Sequence, residues 1–280
     1  MNNIKAFTLM AVLSILLVLL GGAIGGQSGA MIFFLISLGI NFFGYYNSDK
    51  VAIKMTKSQP ISEEQAPQLY QMVRNLTKRA QMPMPRLYIT PSQQPNAFAT
   101  GRNPEHSAVA ITEGLIRMLN KEELEGVIAH ELAHIKNRDV LVGTIAASMA
   151  GAVTMIGHML QWTAIFGGMG GDDDEGIGGI GALALAILAP IAAMIIQMAI
   201  SRSREYGADA TGAQIAGNTN GLANALLKLE RAAHSVPMKV DPAASHLFIV
   251  NPLSGASMAK LFSTHPAIED RVGRLKQLRI

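Results

Sequence analysis

His130, Glu131 and His134 form the pattern His-Glu-x-x-His, the strongest chemical signal in the sequence. Residues four apart lie one above the other on one face of an α-helix, so both imidazoles can face a single ion. Neutral imidazole suits zinc, and a catalytic zinc has three protein ligands and an open position for water. Glu131 would then be the general base that prepares this water to attack a peptide carbonyl. The alternative is a chance match on an amphipathic helix.

The residues around this motif favour a continuous helix. Asn120 and Glu123 have the spacing of a capping box, which begins a helix by pairing each side chain with the other residue's backbone. No glycine or proline interrupts residues 127–139. We therefore predict one helix that carries both imidazoles, and one Zn²⁺ per chain.

The third zinc ligand is expected on a second helix. Glu205 and Asp209 are four apart and share a helical face. Glu205 would bind zinc, and Asp209 would accept a hydrogen bond from the second nitrogen of a zinc histidine. The competing interpretation is a charged stretch in which Glu205 only pairs with Arg202 or Arg204. Three other carboxylates lack a comparable geometric argument, namely Glu113, Asp139 and Glu230.

Four apolar runs are long enough to cross a bilayer. They are residues 6–24, 30–46, 141–166 and 177–200. The first run is too long for the apolar part of a signal peptide, and a second run follows almost at once, which predicts a transmembrane hairpin. The last two runs predict a second hairpin, whose ends would bring the histidine helix and Glu205 together.

The composition agrees with a membrane protein and limits the metal site. Only 15% of the 280 residues are charged, and the mean hydropathy is +0.27. The formal net charge of +3 gives no argument for nucleic acid. Because the chain has no cysteine, disulfides, thiolate nucleophiles and Cys-type zinc sites are excluded. A metal site must be built from His, Glu and Asp.

The distribution of Lys and Arg predicts the orientation. These residues flank one side of both hairpins, whereas the opposite loops, residues 25–29 and 167–176, carry none. By the positive-inside rule, both termini and the active site are cytoplasmic. The acidic loop 167–176 would be an outer, solvated connector, because it lacks the ligand spacing of a calcium loop.

We predict an α+β fold that is mostly α-helical, with four transmembrane helices and a cytoplasmic zincin-like metallopeptidase domain containing a small β-sheet. Strands are expected at residues 86–90, 97–101 and 107–112, the last two joined by a turn at 101–104. Either residues 96–100 or 107–112 could form the edge that pairs with an extended substrate. Further helices are expected at residues 62–80, 113–119, 220–233 and 267–278. The predicted segments are hairpin 1 (1–48), the zincin-like part (49–139), hairpin 2 (140–200) and a helical part with the third ligand (201–280).

Thr264, His265 and Pro266 begin the last predicted helix. His265 has three candidate roles: it stabilises the oxyanion, fills the fourth zinc position, or simply starts the helix. A fourth ligand that never leaves would make the site structural. The alternative function is therefore a non-catalytic membrane scaffold or transporter with a structural metal. Charges that closely flank the histidine helix argue against a protease that cuts inside the bilayer.

Together these features resemble the HtpX-type membrane zinc metalloproteases, which belong to the same broad family as the CAAX prenyl proteases. The resemblance covers nearly the whole chain and includes residues 95–99 and two spans on each side of the zinc helix. The motifs that carry it are His130-Glu131-x-x-His134, Glu205-x-x-x-Asp209 and Thr264-His265-Pro266.

The resemblance implies a zinc endopeptidase of the bacterial inner membrane with a cytoplasmic active site. It implies His130, His134 and Glu205 as zinc ligands and Glu131 as the general base. It also implies a role in stress response and protein quality control, through cleavage of misfolded or damaged membrane proteins. The expected partners are membrane-protein or unfolded-protein substrates, the lipid bilayer and membrane quality-control proteins, but no nucleic acid.

Overall fold

The computed structural model describes most of the chain, namely residues 2–166, 202–236, 238, 240, 242–252 and 266–280. Within these residues the fold is α+β and mostly helical, as predicted, with one small mixed sheet. The helices are α1 (Asn2–Met55), α2 (Pro67–Ala80), α3 (Glu113–Met118), α4 (Lys121–Lys136), α5 (Val140–Phe166), α6 (Arg202–Ala216), α7 (Asn220–Ser235) and α8 (Ile268–Gln277), with a 3-10 helix at Pro242–Leu247.

Helix α1 consists of two arms that meet at Gly25 and Gly26, where the backbone leaves helical geometry. Gly26 has a φ of +58°, which glycine adopts without steric cost, and the chain reverses there. Across the two arms, the amide of Asn41 donates to the carbonyl of Met10 at 3.3 Å and to Oγ of Ser14 at 2.8 Å. The first two predicted apolar runs are therefore helices that pack against each other, and their crossing of a bilayer stays a prediction.

Two helices in the described part of the chain are long and apolar enough to cross a membrane, Ile4–Gly22 and Gly25–Met55. Helix α5 covers the third predicted run. Its residues 140–153 are apolar, but this stretch is shorter than the two candidate spans of α1. Its apolar face packs against the first arm of α1. The side chains in this cluster include Leu9, Leu13 and Leu17 from α1 with Leu141, Ile145 and Met149 from α5. The fourth run, 177–200, and the loop 167–176 lie outside the described residues.

The sheet has the strand order β1-β2-β4-β3. Its strands are β1 (Gln59–Pro60), β2 (Arg86–Thr90), β3 (Ala97–Asn103) and β4 (His106–Thr112). β2 and β4 are parallel, and the other two pairs are antiparallel. Of the two candidate edges, β4 is enclosed between β2 and β3, whereas β3 is an outer strand. Of the two candidate segments, residues 96–100 are thus the one at an edge of this sheet.

Two local predictions were wrong. Helix α2 begins at Pro67 instead of residue 62, because proline suits the first helical turn and has no N–H to donate further along a helix. The turn predicted at 101–104 is at Pro104 and Glu105, since β3 continues to Asn103 through an irregularity in its pairing with β4.

The second arm of α1 also contacts the sheet. Asp49 forms an ion pair with Arg86 at the start of β2. In β3, Arg102 donates to the carbonyl of Tyr46 at 3.3 Å, and its guanidinium lies 5.4 Å from the centre of the Tyr46 ring. The sheet is therefore attached to the end of an apolar helix.

Candidate metal centre

Helix α4 carries His130, Glu131 and His134 and begins with the predicted capping box. The side chain of Asn120 accepts from the Glu123 N–H at 2.9 Å, and the Asn120 N–H donates to the Glu123 carboxylate at 3.0 Å. From Gly126 to Ala133 every residue is buried. The histidine motif therefore lies in the protein interior, and a solvated surface helix is excluded.

Helix α6 places Glu205 and Asp209 against α4. A Cβ atom at Gly212, which follows Asp209 by three residues, would lie 2.9 Å from both Cα and N of His130. Real Cβ contacts are longer, so the missing side chain lets the two helices approach at the level of the first histidine. As a result, the carboxylates of α6 reach the imidazoles of α4.

Three buried or half-buried side chains converge on one point. Nε2 of His130 lies 3.1 Å from Nε2 of His134. The carboxylate of Glu205 lies 3.8 Å from Nε2 of His130 and 3.5 Å from Nε2 of His134. A tetrahedral zinc with ligands about 2.0–2.1 Å away separates those ligands by about 3.4 Å. The donor set and its spacing therefore fit a zinc ion.

Each histidine has a carboxylate beside its other ring nitrogen. Nδ1 of His130 lies 3.0 Å from Asp209, and Nδ1 of His134 lies 3.3 Å from Asp139. An ionised carboxylate only accepts hydrogen bonds, so both Nδ1 atoms are donors and both Nε2 atoms can present a lone pair to a metal. From the sequence alone, Asp139 is a candidate only as a metal ligand.

Arg271 of α8 is a second residue that the sequence analysis missed. Its side chain is completely buried, and it donates to the two oxygens of Asp209 at 2.9 and 2.7 Å. It also donates to the carbonyl of Ile249 at 3.3 Å and lies 3.8 Å from the Glu205 carboxylate. A signal was available, because Arg271 shares the face of the apolar residues Ile268 and Val272. An arginine on a buried helix face needs a carboxylate partner.

Burial raises the pKa of Glu131 to about 7, although the backbone of Ala99 hydrogen-bonds to this carboxylate and opposes the shift. The neighbouring charge of Glu205 also raises this pKa. A carboxylate with a pKa near neutrality both accepts and returns protons efficiently. The role of Glu131 as the general base stays a prediction.

The two histidines differ in their protonation. Burial lowers the pKa of His130 to about 4. Burial acts in the same direction on His134, but Glu205 and two further carboxylates outweigh it and raise the pKa to about 9. The pKa of Asp209 falls to about 2, because Arg271 and His130 outweigh the opposing effect of burial. A bound cation would favour neutral imidazoles and ionised carboxylates throughout this group.

The three converging side chains line a cavity of about 70 Å³, together with Glu131. The cavity is also lined by Ala99 of β3 and by the 3-10 helix and the residues after it, including His246 and Phe248. His265 lies outside the described residues, so its three candidate roles stay predictions.

Comparisons with known proteins identify relatives of the whole chain. The sequence profile of "Peptidase family M48" matches residues 63–279. A "Protease HtpX homolog" of Pelotomaculum thermopropionicum is 71% identical over 282 residues and covers 100% of both chains. Another, of Desulfatibacillum aliphaticivorans, is 55% identical over 279 residues, with 99% of this chain and 90% of the relative covered. The crystal structure of S. mikatae Ste24p matches with a TM-score of 0.49 and 18% identity, over 98% of this chain and 65% of that one.

Proposed function

Because the chain belongs to peptidase family M48 and is a metalloprotease, we propose that it hydrolyses peptide bonds at a zinc ion held by His130, His134 and Glu205. The observation that carries this proposal is the convergence of these three side chains, whose ligand atoms all lie within 4.8 Å of one another. Glu131 lines the same cavity, which supports its role as the general base.

The chemistry divides between the metal and the chain. When bound, zinc supplies a Lewis acid that polarises the scissile carbonyl and acidifies the attacking water. Glu131 takes the proton from this water and returns it to the leaving amine. The group must therefore be a carboxylate before the attack and an acid afterwards.

We propose that the substrate binds along the outer edge of β3. The backbone carbonyl of Asn96 accepts from the N–H of Thr112, so the backbone groups of Asn96 point toward β4. Backbone groups alternate in direction along a strand, so those of Ala97, Ala99 and Gly101 face the outer edge. The carbonyl of Ala97 already accepts from Ile249 at 3.0 Å. The backbone N–H of Ala99 already donates to Glu131, so an extended peptide would pair with β3 from the carbonyl of Ala99 onward.

The proposed setting is the bacterial inner membrane, with four spans and the metal centre on the cytoplasmic side. The two apolar arms of α1 and the HtpX homologues support a membrane location. The one-sided distribution of Lys and Arg supports the orientation. Misfolded or damaged membrane proteins would present extended segments to β3, in a stress-response and quality-control role. The four segments bounded at residues 48, 139 and 200 remain the proposed division of the chain.

The test compares Glu131→Gln with the wild type as full-length protein in detergent. Metal content and cleavage of an unfolded protein such as casein are measured, with chelation and zinc restoration. We expect about one zinc per chain in both proteins and a loss of turnover of about 10²–10⁴-fold in the variant. Glu125→Gln is the matched control, because Glu125 lies on the same helix but pairs with Arg79.

Two results would count against the proposal. Normal cleavage by Glu131→Gln would remove the assigned base. Zinc in both proteins without cleavage in either would favour the alternative, a structural metal in a membrane scaffold or transporter.

A further inference from the structure

The first turn of α5 and the residue before it contact three parts of the metal centre. Asp139, the residue before α5, lies against the ring of His134. The carbonyl of Gly143 is 3.0 Å from Nε2 of His246, which also lines the cavity. The hydroxyl of Thr144 lies 3.2 Å from that of Thr100 in β3, and both hydroxyls are buried. The start of an apolar helix is thus in contact with a metal ligand, the cavity wall and the outer strand.

The backbone between α4 and α5 determines where Asp139 lies. Helix α4 ends at Lys136. Two residues later, Arg138 has a φ of +59°, a left-handed conformation that stops the helix from continuing. The N–H of Asp139 then donates to the carbonyl of His134 at 2.9 Å, as in a Schellman motif. This turn places the carboxylate of Asp139 beside Nδ1 of His134, whose backbone carbonyl accepts the N–H of Asp139.

The charge of Asp139 is compensated within the protein. Its side chain is 8% exposed, and Nε of Arg204 lies 4.0 Å from its carboxylate. Arg204 precedes Glu205 in α6, so the cation comes from the helix that supplies the third side chain of the centre. A buried carboxylate is costly without such a partner, and here it faces both a cation and an imidazole N–H.

We propose that Asp139 is a positioning residue that orients His134 for metal binding and ties the metal centre to the start of α5. This inference rests on the metal centre proposed above. Asp139 does not reach the metal itself, because the other ring nitrogen of His134 faces Glu205. It fixes the tautomer and rotation of the ring, and carboxylates in this role typically raise metal affinity about 10–100-fold.

The two carboxylate–histidine pairs therefore differ in what they connect. Asp209 and Arg271 hold His130 from two helices of the soluble part, α6 and α8. Asp139 holds His134 from the helix that packs against the arms of α1. A displacement of α5 would move Asp139 away from His134 and weaken metal binding, whereas His130 would keep its partner.

The test is zinc affinity, measured by competition with a chromogenic chelator on full-length protein in detergent. Asp139→Asn keeps the shape and a neutral acceptor, and Asp139→Ala removes both. We expect affinity to fall in the order wild type, Asn, Ala, by about 10-fold or more at the end of the series. Glu125→Gln should bind zinc like the wild type. Thermal unfolding of the metal-free proteins separates this effect from a loss of folding.

Equal zinc affinity within twofold for the wild type and Asp139→Asn, with Asp139→Ala no weaker, would overturn the inference. If Asp139→Ala does not fold, the isosteric Asn variant decides alone: a drop of more than about twofold supports the positioning role, and affinity within twofold of the wild type refutes it. A wild-type protein that binds no zinc would instead refute the metal centre on which the inference rests.

Discussion

Arg271 shows how one side chain can set the charge of an entire site. It contributes a cation next to Asp209 and Glu205 in a region with almost no solvent. Asp209 remains ionised there because of this cation, as its depressed pKa reflects. The ionised form of Asp209 is the one that can accept the Nδ1–H of His130. The arginine thus acts on His130 through the carboxylate of Asp209, and its guanidinium also lies 3.3 Å from Nε2 of His130 itself.

Replacing Arg271 by leucine should destabilise the protein strongly. The change leaves the carboxylate of Asp209 buried without its cation, which typically costs about 3–5 kcal/mol. The free energy of unfolding, measured in detergent with chelator present, should fall by this amount. Adding Asp209→Asn to the leucine variant should recover part of the loss, since it removes the stranded charge. A leucine variant as stable as the wild type would mean that the ion pair contributes nothing net.

Local spacing was enough to predict the residues that face one another along a helix. His130 with His134, and Glu205 with Asp209, are each four apart, and the structure brings both pairs together. Arg271 follows Asp209 by 62 residues, and no periodic pattern connects them. Asp139 is near His134 in sequence, but a left-handed Arg138 was needed to turn its carboxylate back. Left-handed backbone at a non-glycine residue gives little signal in a sequence.

At the scale of elements, the crossing of α4 and α6 determines whether the ligands meet. Gly212 lies where the two helices are closest. Gly207 is on the same helix, but an added Cβ there meets no atom within 4 Å. The two glycines therefore have different roles in one helix, and only the first is required by packing.

Gly212→Ala should weaken zinc binding and lower the unfolding temperature, because its methyl group would overlap the backbone at His130. Overpacking of this kind typically costs about 1–3 kcal/mol. Gly207→Ala should be neutral or slightly stabilising, since alanine favours helix over glycine by about 1 kcal/mol. Calorimetry and zinc competition on both variants check this. Equal effects of the two changes would argue against close packing at Gly212.

Secondary structure could be predicted from sequence more fully than strand order. Residues 86–90 and 107–112 form strands as expected, because alternating and apolar patterns are local. The order in the sheet, in which β4 lies between β2 and β3, depends on contacts between distant segments. For this reason the sequence alone gave two candidates for the edge strand beside the substrate. The strand order retains only residues 96–100 of these two.

At the scale of the molecule, the proposed orientation has a direct test. The natural chain has no cysteine, so single cysteines can be introduced without background labelling. Ser62→Cys should be protected from a membrane-impermeant maleimide in intact cells and labelled after lysis. Asp173→Cys, in the acidic loop, should be labelled from outside. The reverse pattern would place the metal centre on the outer side of the membrane.

The unequal arms of α1 define a distance between the bilayer and the enzyme. The first arm has 19 residues and the second 31, which correspond to helix lengths of about 28 and 46 Å. A hydrocarbon core is about 30 Å thick, and an upright helix crosses it in about 20 residues, so a second arm that starts at Gly25 would leave the core near Tyr45. The sheet is attached just past this level, at Tyr46 and Asp49.

In the proposed orientation, this attachment would keep the metal cavity near the membrane surface, where it could meet substrates that stay anchored in the same membrane. An extended chain spans about 3.3–3.6 Å per residue, so about two residues released from the bilayer would cover the roughly 6 Å between the core and the level of Asp49. Proteins that have begun to unfold at the membrane surface would therefore come within reach, whereas transmembrane helices without such a tail would not.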